Sequence, residues 1–154
     1  MEKEQGGFFP IFISMKDAKV LIVGGGKIAL RRIRTLLSFG AALTVIAPEV
    51  LPEIACLPVQ TICRKAAEKD VSPDYRLVVA ASSDRETNRQ IGLRATALGI
   101  PVSVADAKEE STFYFPAIIQ GEGITAGLIS ENGQNHHLAA EKAALLRAAL
   151  HEHQ

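Results

Sequence analysis

An aliphatic run, Lys19-Val20-Leu21-Ile22-Val23, breaks into three consecutive glycines, Gly24-Gly25-Gly26, and passes into Lys27-Ile28-Ala29. Few folds accept that order. A Val/Ile/Leu run without polar alternation, bounded by glycines, predicts a strand buried on both faces. Ala29, Ile33, Leu36 and Leu37 then recur at i, i+4, i+7 and i+8, the apolar stripe of a helix. Strand, glycine turn and helix form the first half of a βαβ unit.

Gly24-x-Gly26-x-x-Ala29 fits the dinucleotide-binding pattern with alanine as its last member. Each position has a physical reason. Gly24 permits the turn, Gly26 lets the backbone approach a pyrophosphate, and Ala29 lets the helix pack close to the strand. The helix N-terminus offers free N–H groups and a partial positive charge to phosphate. Glycine turns also simply connect strands to helices, and the surrounding strand and helix are what favour the binding reading here.

The same alternation continues. The first helix is expected to reach about Phe39 and stop at Gly40, with Leu43–Ala47 as the second strand, closed by Pro48. A poorly patterned stretch from Glu49 to Asp74 holds a short helix and an edge strand near Val59–Ile62. Arg76–Ala81 reads as the fourth strand. Ser83-x-x-Glu86 reads as a capping box opening a helix to Leu98, with Gly99 beyond its end. Pro101–Ala105 is the fifth strand. Strands alternating with helices imply a Rossmann-like, doubly wound parallel α/β sheet. After Lys108 the pattern changes. Phe113–Ile119 and Ile124–Ser130, joined by Gln120-Gly121-Glu122-Gly123, read as a hairpin, and a last helix runs from His136 to about Leu150. Phe8–Ile13 is expected to lie extended over one edge of the core. The expected division is 1–110 for the dinucleotide-binding domain and 111–154 for the hairpin and helix. That segment is too small to form its own core, which favours a homodimer contact.

Lysine plus arginine equals aspartate plus glutamate at 17 each, a balance that does not favour nucleic acid as a partner. No apolar run is long enough to span a bilayer, and Met1–Gln5 lacks a basic-then-apolar signal pattern. The cysteines, Cys56 and Cys63, suggest a reducing compartment, with cytoplasm as the expectation.

Ligands in such sheets bind beyond the carboxyl ends of the strands. The candidate cofactor contacts are therefore Gly24, Gly25, Gly26, Lys27 and Ile28, then Ala47 and Pro48, then Ser82 and Ser83. Ser82 and Ser83 either offer hydroxyls to the cofactor or cap the helix. Asp106 is the carboxylate best placed for the nicotinamide end, although taken by itself it reads more simply as a turn aspartate. A ribose-binding acid is expected ~20 residues beyond the glycines. Ala47 stands at that strand end, so the usual argument for NAD over NADP is missing. Lys27, Arg31 and Arg34 share a helix face that either meets an anion or is simply solvated. The four histidines, His136, His137, His151 and His153, show no zinc spacing, and no metal ligand set is assigned.

Together these residues resemble the siroheme synthase N-terminal family, whose members act as precorrin-2 dehydrogenases and in some cases also as sirohydrochlorin ferrochelatases. The resemblance runs in order through Phe9-Pro10-Ile11-Phe12, Val20–Ala29, Leu43–Pro48, Asp84–Asn88, Val104–Ala107, Phe113-x-x-Pro116-Ala117 and Ile129-Ser130-x-x-Gly133. It implies NAD as cofactor, Asp106 as the catalytic aspartate, a tetrapyrrole substrate, and dimerisation through the hairpin and last helix. Ser103 stands where members usually have asparagine. Glu131, Asn135 and His136 replace the usual types in a Ser-Thr-x-Gly-x-Ser-Pro stretch, and Ala143 falls where an arginine is expected. The expected function is an NAD-dependent precorrin-2 dehydrogenase forming sirohydrochlorin. The alternatives are a non-catalytic NAD-binding or assembly protein of the same fold and a bifunctional dehydrogenase/ferrochelatase.

Overall fold

A computed structural model describes residues 7–151. Met1–Gln5 and His153 lie outside the described residues. By their internal contacts the described residues divide into two units, Ile13–Phe113 and a second made of residues 7–12 with 114–151.

The larger unit contains β1 (Lys19–Val23), α1 (Lys27–Leu37), β2 (Ala42–Ala47), α2 (Pro52–Ala55), β3 (Gln60–Cys63), β4 (Leu77–Ala80), α3 (Arg85–Ala97) and β5 (Val102–Val104). Its five strands form one sheet in the order β3-β2-β1-β4-β5, and every pairing is parallel. The chain winds outward from β1 to β3, then returns to the centre and winds the other way from β4 to β5. Right-handed crossovers in opposite directions put α1 and α3 on opposite faces, which is the doubly wound arrangement. Val20–Val23 and all four residues of β4 are buried, as strands covered on both faces must be. The core on one side gathers Leu21, Val23, Val78, Ile91, Ala95 and Val102.

The free edge of β5 is closed by the chain that follows it. Val102 N–H donates to the Thr112 hydroxyl at 2.9 Å and Val104 N–H to the Ser111 hydroxyl at 2.8 Å. Thr112 N–H donates back to the Val102 carbonyl at 2.8 Å. Ladder groups that a further strand would satisfy are thereby paired.

The smaller unit is an antiparallel hairpin, β6 (Ala117–Gly121) with β7 (Ile124–Leu128), and α4 (His136–His151). Ala139 and Ala143 of α4 and Ile119 of β6 are its buried apolar residues. The turn is shorter than the sequence suggested. Gln120 and Gly121 remain in the ladder, and only Glu122 (φ 51°) and Gly123 (φ 75°) make the turn. Two consecutive positive φ values are the geometry that matches strand twist in a two-residue hairpin.

Phe8–Ile13 carries no regular secondary structure, and Phe9 and Phe12 are 86% and 79% exposed. Pro10 has no N–H to give a ladder. Phe8 instead packs edge-on against Tyr114, ring centroids 4.5 Å apart. The first helix ends at Leu37, two residues early, and Ser38 and Gly40 close its last carbonyls.

Candidate functional site

The strand order reverses between β1 and β4, and the glycine turn stands at the carboxyl end of β1 beside that reversal. The three glycines do different things. Gly24 has φ +118°, and a Cβ there would fall on the Ala81 carbonyl and within 2.8 Å of the Ser82 nitrogen. A Cβ on Gly25 would strike the Glu49 carbonyl and lie 2.7 Å from Val50 Cα. Both glycines are required by the protein's own backbone. Gly26 is not: a Cβ on it meets nothing within 4 Å, and its φ is an ordinary −93°.

Gly26 is also the N-cap of α1, with no side chain capping the helix and no acid in the first turn. The first-turn N–H groups therefore have neither a side-chain acceptor nor a repelling carboxylate, the condition for anion binding at a helix start. A dinucleotide pyrophosphate fits here, because the one glycine that packing does not demand is the one a close phosphate would demand. Lys27 and Ile28 open the helix and are exposed, while Ala29 is fully buried against the sheet. Gly25 accepts from Leu51 N–H at 2.9 Å, so the chain after β2 braces the turn. Ala47 is buried at the end of β2, and Pro48 and Glu49 beyond it are exposed. Arg31 and Arg34 are exposed on α1. Arg32 is half-buried, and burial, then the charge of Arg31, lowers its pKa to about 10.

Beyond β4, Ser82 is engaged within the protein. Its hydroxyl lies 2.8 Å from Asn88 Oδ1, which also accepts from Ser82 N–H at 3.0 Å, and Asn88 Nδ2 donates to the Ser82 carbonyl at 3.0 Å. Asn88 is fully buried, so this three-bond clasp meets the requirement that a buried amide be satisfied. Ser83 is exposed and is not the cap. The N-cap is Asp84, whose carboxylate accepts from Glu86 N–H at 3.1 Å and from the Thr87 hydroxyl at 2.9 Å. Glu86, the expected partner of Ser83, pairs with Arg89. Hydrogen bonding from Lys65, then from Thr87, lowers the Asp84 pKa to about 2. Asn88 was absent from the candidate residues. Its signal was a polar side chain on the buried face of a helix.

Asp106 stands in the turn after β5, where Ala105 N–H donates to the Ala80 carbonyl at 2.9 Å. Register aligns Val23 with Ala80 and Ala80 with Val104, so the glycine turn and Asp106 share one sheet edge. Two strand spacings separate their strands, ~10 Å. Asp106 Oδ1 accepts from Arg85 Nη1 at 2.9 Å, and Arg85 Nη2 donates to Glu110 Oε1.

In the smaller unit, Gly7, Phe8, Ser130, Glu131, Asn132, Asn135 and Leu138 line an open cleft of about 650 Å³. Asn135 caps α4, its side chain accepting from Leu138 N–H at 2.9 Å. Serine at an N-cap followed by proline is replaced by asparagine followed by His136, and the capping chemistry is retained. Cys56 and Cys63 are free and exposed. Among the described residues no helix is long and apolar enough to cross a membrane, and no three His, Cys, Asp or Glu side chains converge as a metal site.

A family model for NAD(P)-binding domains matches residues 11–117. The chain is 43% identical over 145 residues to a Ruminiclostridium josui protein named "Probable multifunctional siroheme biosynthesis protein HemA", covering 92% of this chain and 28% of that protein. It is 42% identical to a siroheme synthase of Psychrobacter cryohalolentis, covering 92% of this chain and 27% of that one. The chain thus spans little more than a quarter of these curated relatives. Among solved structures, SirC, precorrin-2 dehydrogenase, superposes with a TM-score of 0.73 at 27% identity, covering 92% of this chain and 71% of that one. Glycine turn, sheet order and family match agree, and the chain belongs to the NAD(P)-binding family.

Proposed function

We propose that this chain is an NAD-dependent dehydrogenase that oxidises precorrin-2 to sirohydrochlorin, acting in the cytoplasm as a homodimer through residues 111–154. The observation that carries the reading is the pairing on one sheet edge of a phosphate-accepting helix start with Asp106, two strands away. The relatives named for siroheme synthesis and the precorrin-2 dehydrogenase structure support the substrate.

When bound, NAD supplies the acceptor for the hydride that leaves the macrocycle. The protein's part is position and proton handling. Gly24–Gly26 with the first turn of α1 hold the pyrophosphate, and Ala47 and Pro48 flank the ribose side. Ser82, locked by Asn88, and Ser83 shape the wall beyond β4. Asp106 accepts the proton lost from the macrocycle or holds a pyrrole N–H. Preference for NAD over NADP rests on the resemblance to the siroheme synthase N-terminal family, because β2 ends in Ala47 rather than an acid. The dimer reading draws on Ile124, Ile129, Leu138, Leu145 and Leu146, large apolar side chains exposed on the smaller unit.

Anaerobic incubation with precorrin-2 and NAD tests the reading by NADH absorbance. Turnover is expected, faster with NAD than with NADP. Asp106→Asn should lower it about a hundredfold, in the range of a lost general base. NAD affinity should stay within about threefold, under ~0.7 kcal/mol. A wild-type protein that binds NAD but forms no NADH hands the case to the non-catalytic reading.

A further inference from the structure

Asp106 does not stand alone. Arg85, the first residue of α3, reaches across to the turn after β5 and holds two carboxylates with one guanidinium. Nη1 meets Asp106 Oδ1 at 2.9 Å, and Nη2 meets Glu110 Oε1. Glu110 lies on a single 3₁₀ turn, Lys108–Glu110, tied back by Glu110 N–H to the Ala107 carbonyl at 3.0 Å. A planar guanidinium engaged at both ends has little rotational freedom left, so it transmits a fixed orientation to what it holds. The pairing engages one Asp106 oxygen, Oδ1, and the carboxylate is exposed at the turn.

We infer that Arg85 is a positioning residue for the dehydrogenation, clamping Asp106 by one oxygen so that the other is presented to the substrate proton. The inference rests on the role proposed for Asp106. Glu110 anchors the clamp through Oε1, which accepts from Arg85 Nη2, on a carboxylate whose other oxygen is buried. The arrangement belongs to this chain's own residues at 85, 106 and 110. A lysine at 85 would keep the charge but lose the fork, and with it the simultaneous hold on both carboxylates.

The experiment is a double-mutant cycle on the full chain with precorrin-2 and NAD, with NAD affinity measured by calorimetry. Arg85→Ala should lower kcat at least tenfold and leave the NAD Kd within about threefold. In an Asp106→Asn background the same change should alter kcat less than twofold, because nothing is left to orient. Arg85→Lys should recover only part of the loss. Equal losses in both backgrounds would mean that Arg85 acts independently of Asp106 and would overturn the inference. So would an Arg85→Ala protein with wild-type kcat. If the wild type binds NAD but turns nothing over, the proposed function fails by itself, and the clamp is judged on a crystal structure of Arg85→Ala. An Asp106 carboxylate that turns away upholds the clamp, and one that keeps its orientation refutes it.

Discussion

Gly24 and Gly26, the two glycines of one motif, should respond to alanine in opposite ways. At Gly24 the added methyl meets the Ala81 backbone, not a side chain that can swing aside, and the φ of +118° is one that alanine resists. Strain of that kind costs ~1–3 kcal/mol, and forced overpacking a further ~1–3 kcal/mol. Together, ~2–6 kcal/mol is a large share of the ~5–15 kcal/mol that holds a domain folded. At Gly26 the methyl meets no protein atom and the backbone is already in a region alanine adopts. Loss of the glycine N-cap costs ~1 kcal/mol at most, and reduced freedom of the unfolded chain returns ~0.4–1 kcal/mol. Gly26→Ala should therefore match the wild type in stability within ~1 kcal/mol. Its effect falls on the ligand. Displacing the pyrophosphate enough to lose one charge-assisted N–H bond removes ~1.5–3 kcal/mol, a fall in NAD affinity of roughly 10- to 150-fold. Urea unfolding and calorimetric titration on both variants decide it. Unchanged NAD affinity in Gly26→Ala, or wild-type stability in Gly24→Ala, would refute the division of labour.

Two further outcomes follow from the structure. Asp84 has its pKa lowered from the usual carboxylate value to about 2, first by Lys65 and then by Thr87. Its contribution is therefore complete above the unfolded value near 3.8 and is lost as pH falls through about 2; the excess of wild-type urea midpoint over that of Asp84→Asn should be constant down to pH 4 and shrink towards pH 2, and a difference independent of pH would refute the pairing. If a second copy covers α4, Leu145→Glu should dissociate the dimer: each copy loses burial worth ~1.5–3 kcal/mol, so the symmetric pair loses roughly 10²- to 10⁴-fold in dimer affinity, read by sedimentation equilibrium, and a wild type that is monomeric at micromolar concentration would end the proposal.

Where the fold was legible, its determinants were local. The β1–turn–α1 unit carries its own strand run, glycines and apolar stripe within nineteen positions of chain, Lys19–Leu37, and no distant contact is needed to choose it. The cap of α3 was displaced by one residue because Ser83 and Asp84 are both good caps and adjacent. A charge-assisted bond, with Lys65 alongside, favours the aspartate. The turn of the hairpin was placed too wide because composition shows glycines but not which residues carry positive φ. The apolar content of Phe8–Ile13 resembles a core segment, yet Phe9 and Phe12 are exposed: hydrophobicity states only what burial would gain, not whether the chain provides a surface for it.

The site divides along the same line. The glycines and Asp106 could be placed from sequence, since each sits at the end of a recognisable strand. The contacts that give Asp106 and Ser82 their orientation could not. Arg85 lies 21 residues from Asp106, and Asn88 lies six from Ser82 across a strand-to-helix turn. The first pair is fixed by the register of β4 on β5, and the second by the geometry of a turn, and neither is a spacing that a hydrophobic pattern encodes. The change of letters at Asn135 errs the other way. It looks like a departure from the family stretch, yet the asparagine performs the helix capping that serine would. Of the altered positions around the open cleft, Glu131 is the one whose chemistry changes most, a carboxylate where a neutral hydroxyl is usual. Glu131 lines that cleft, so the change alters the charge of its wall.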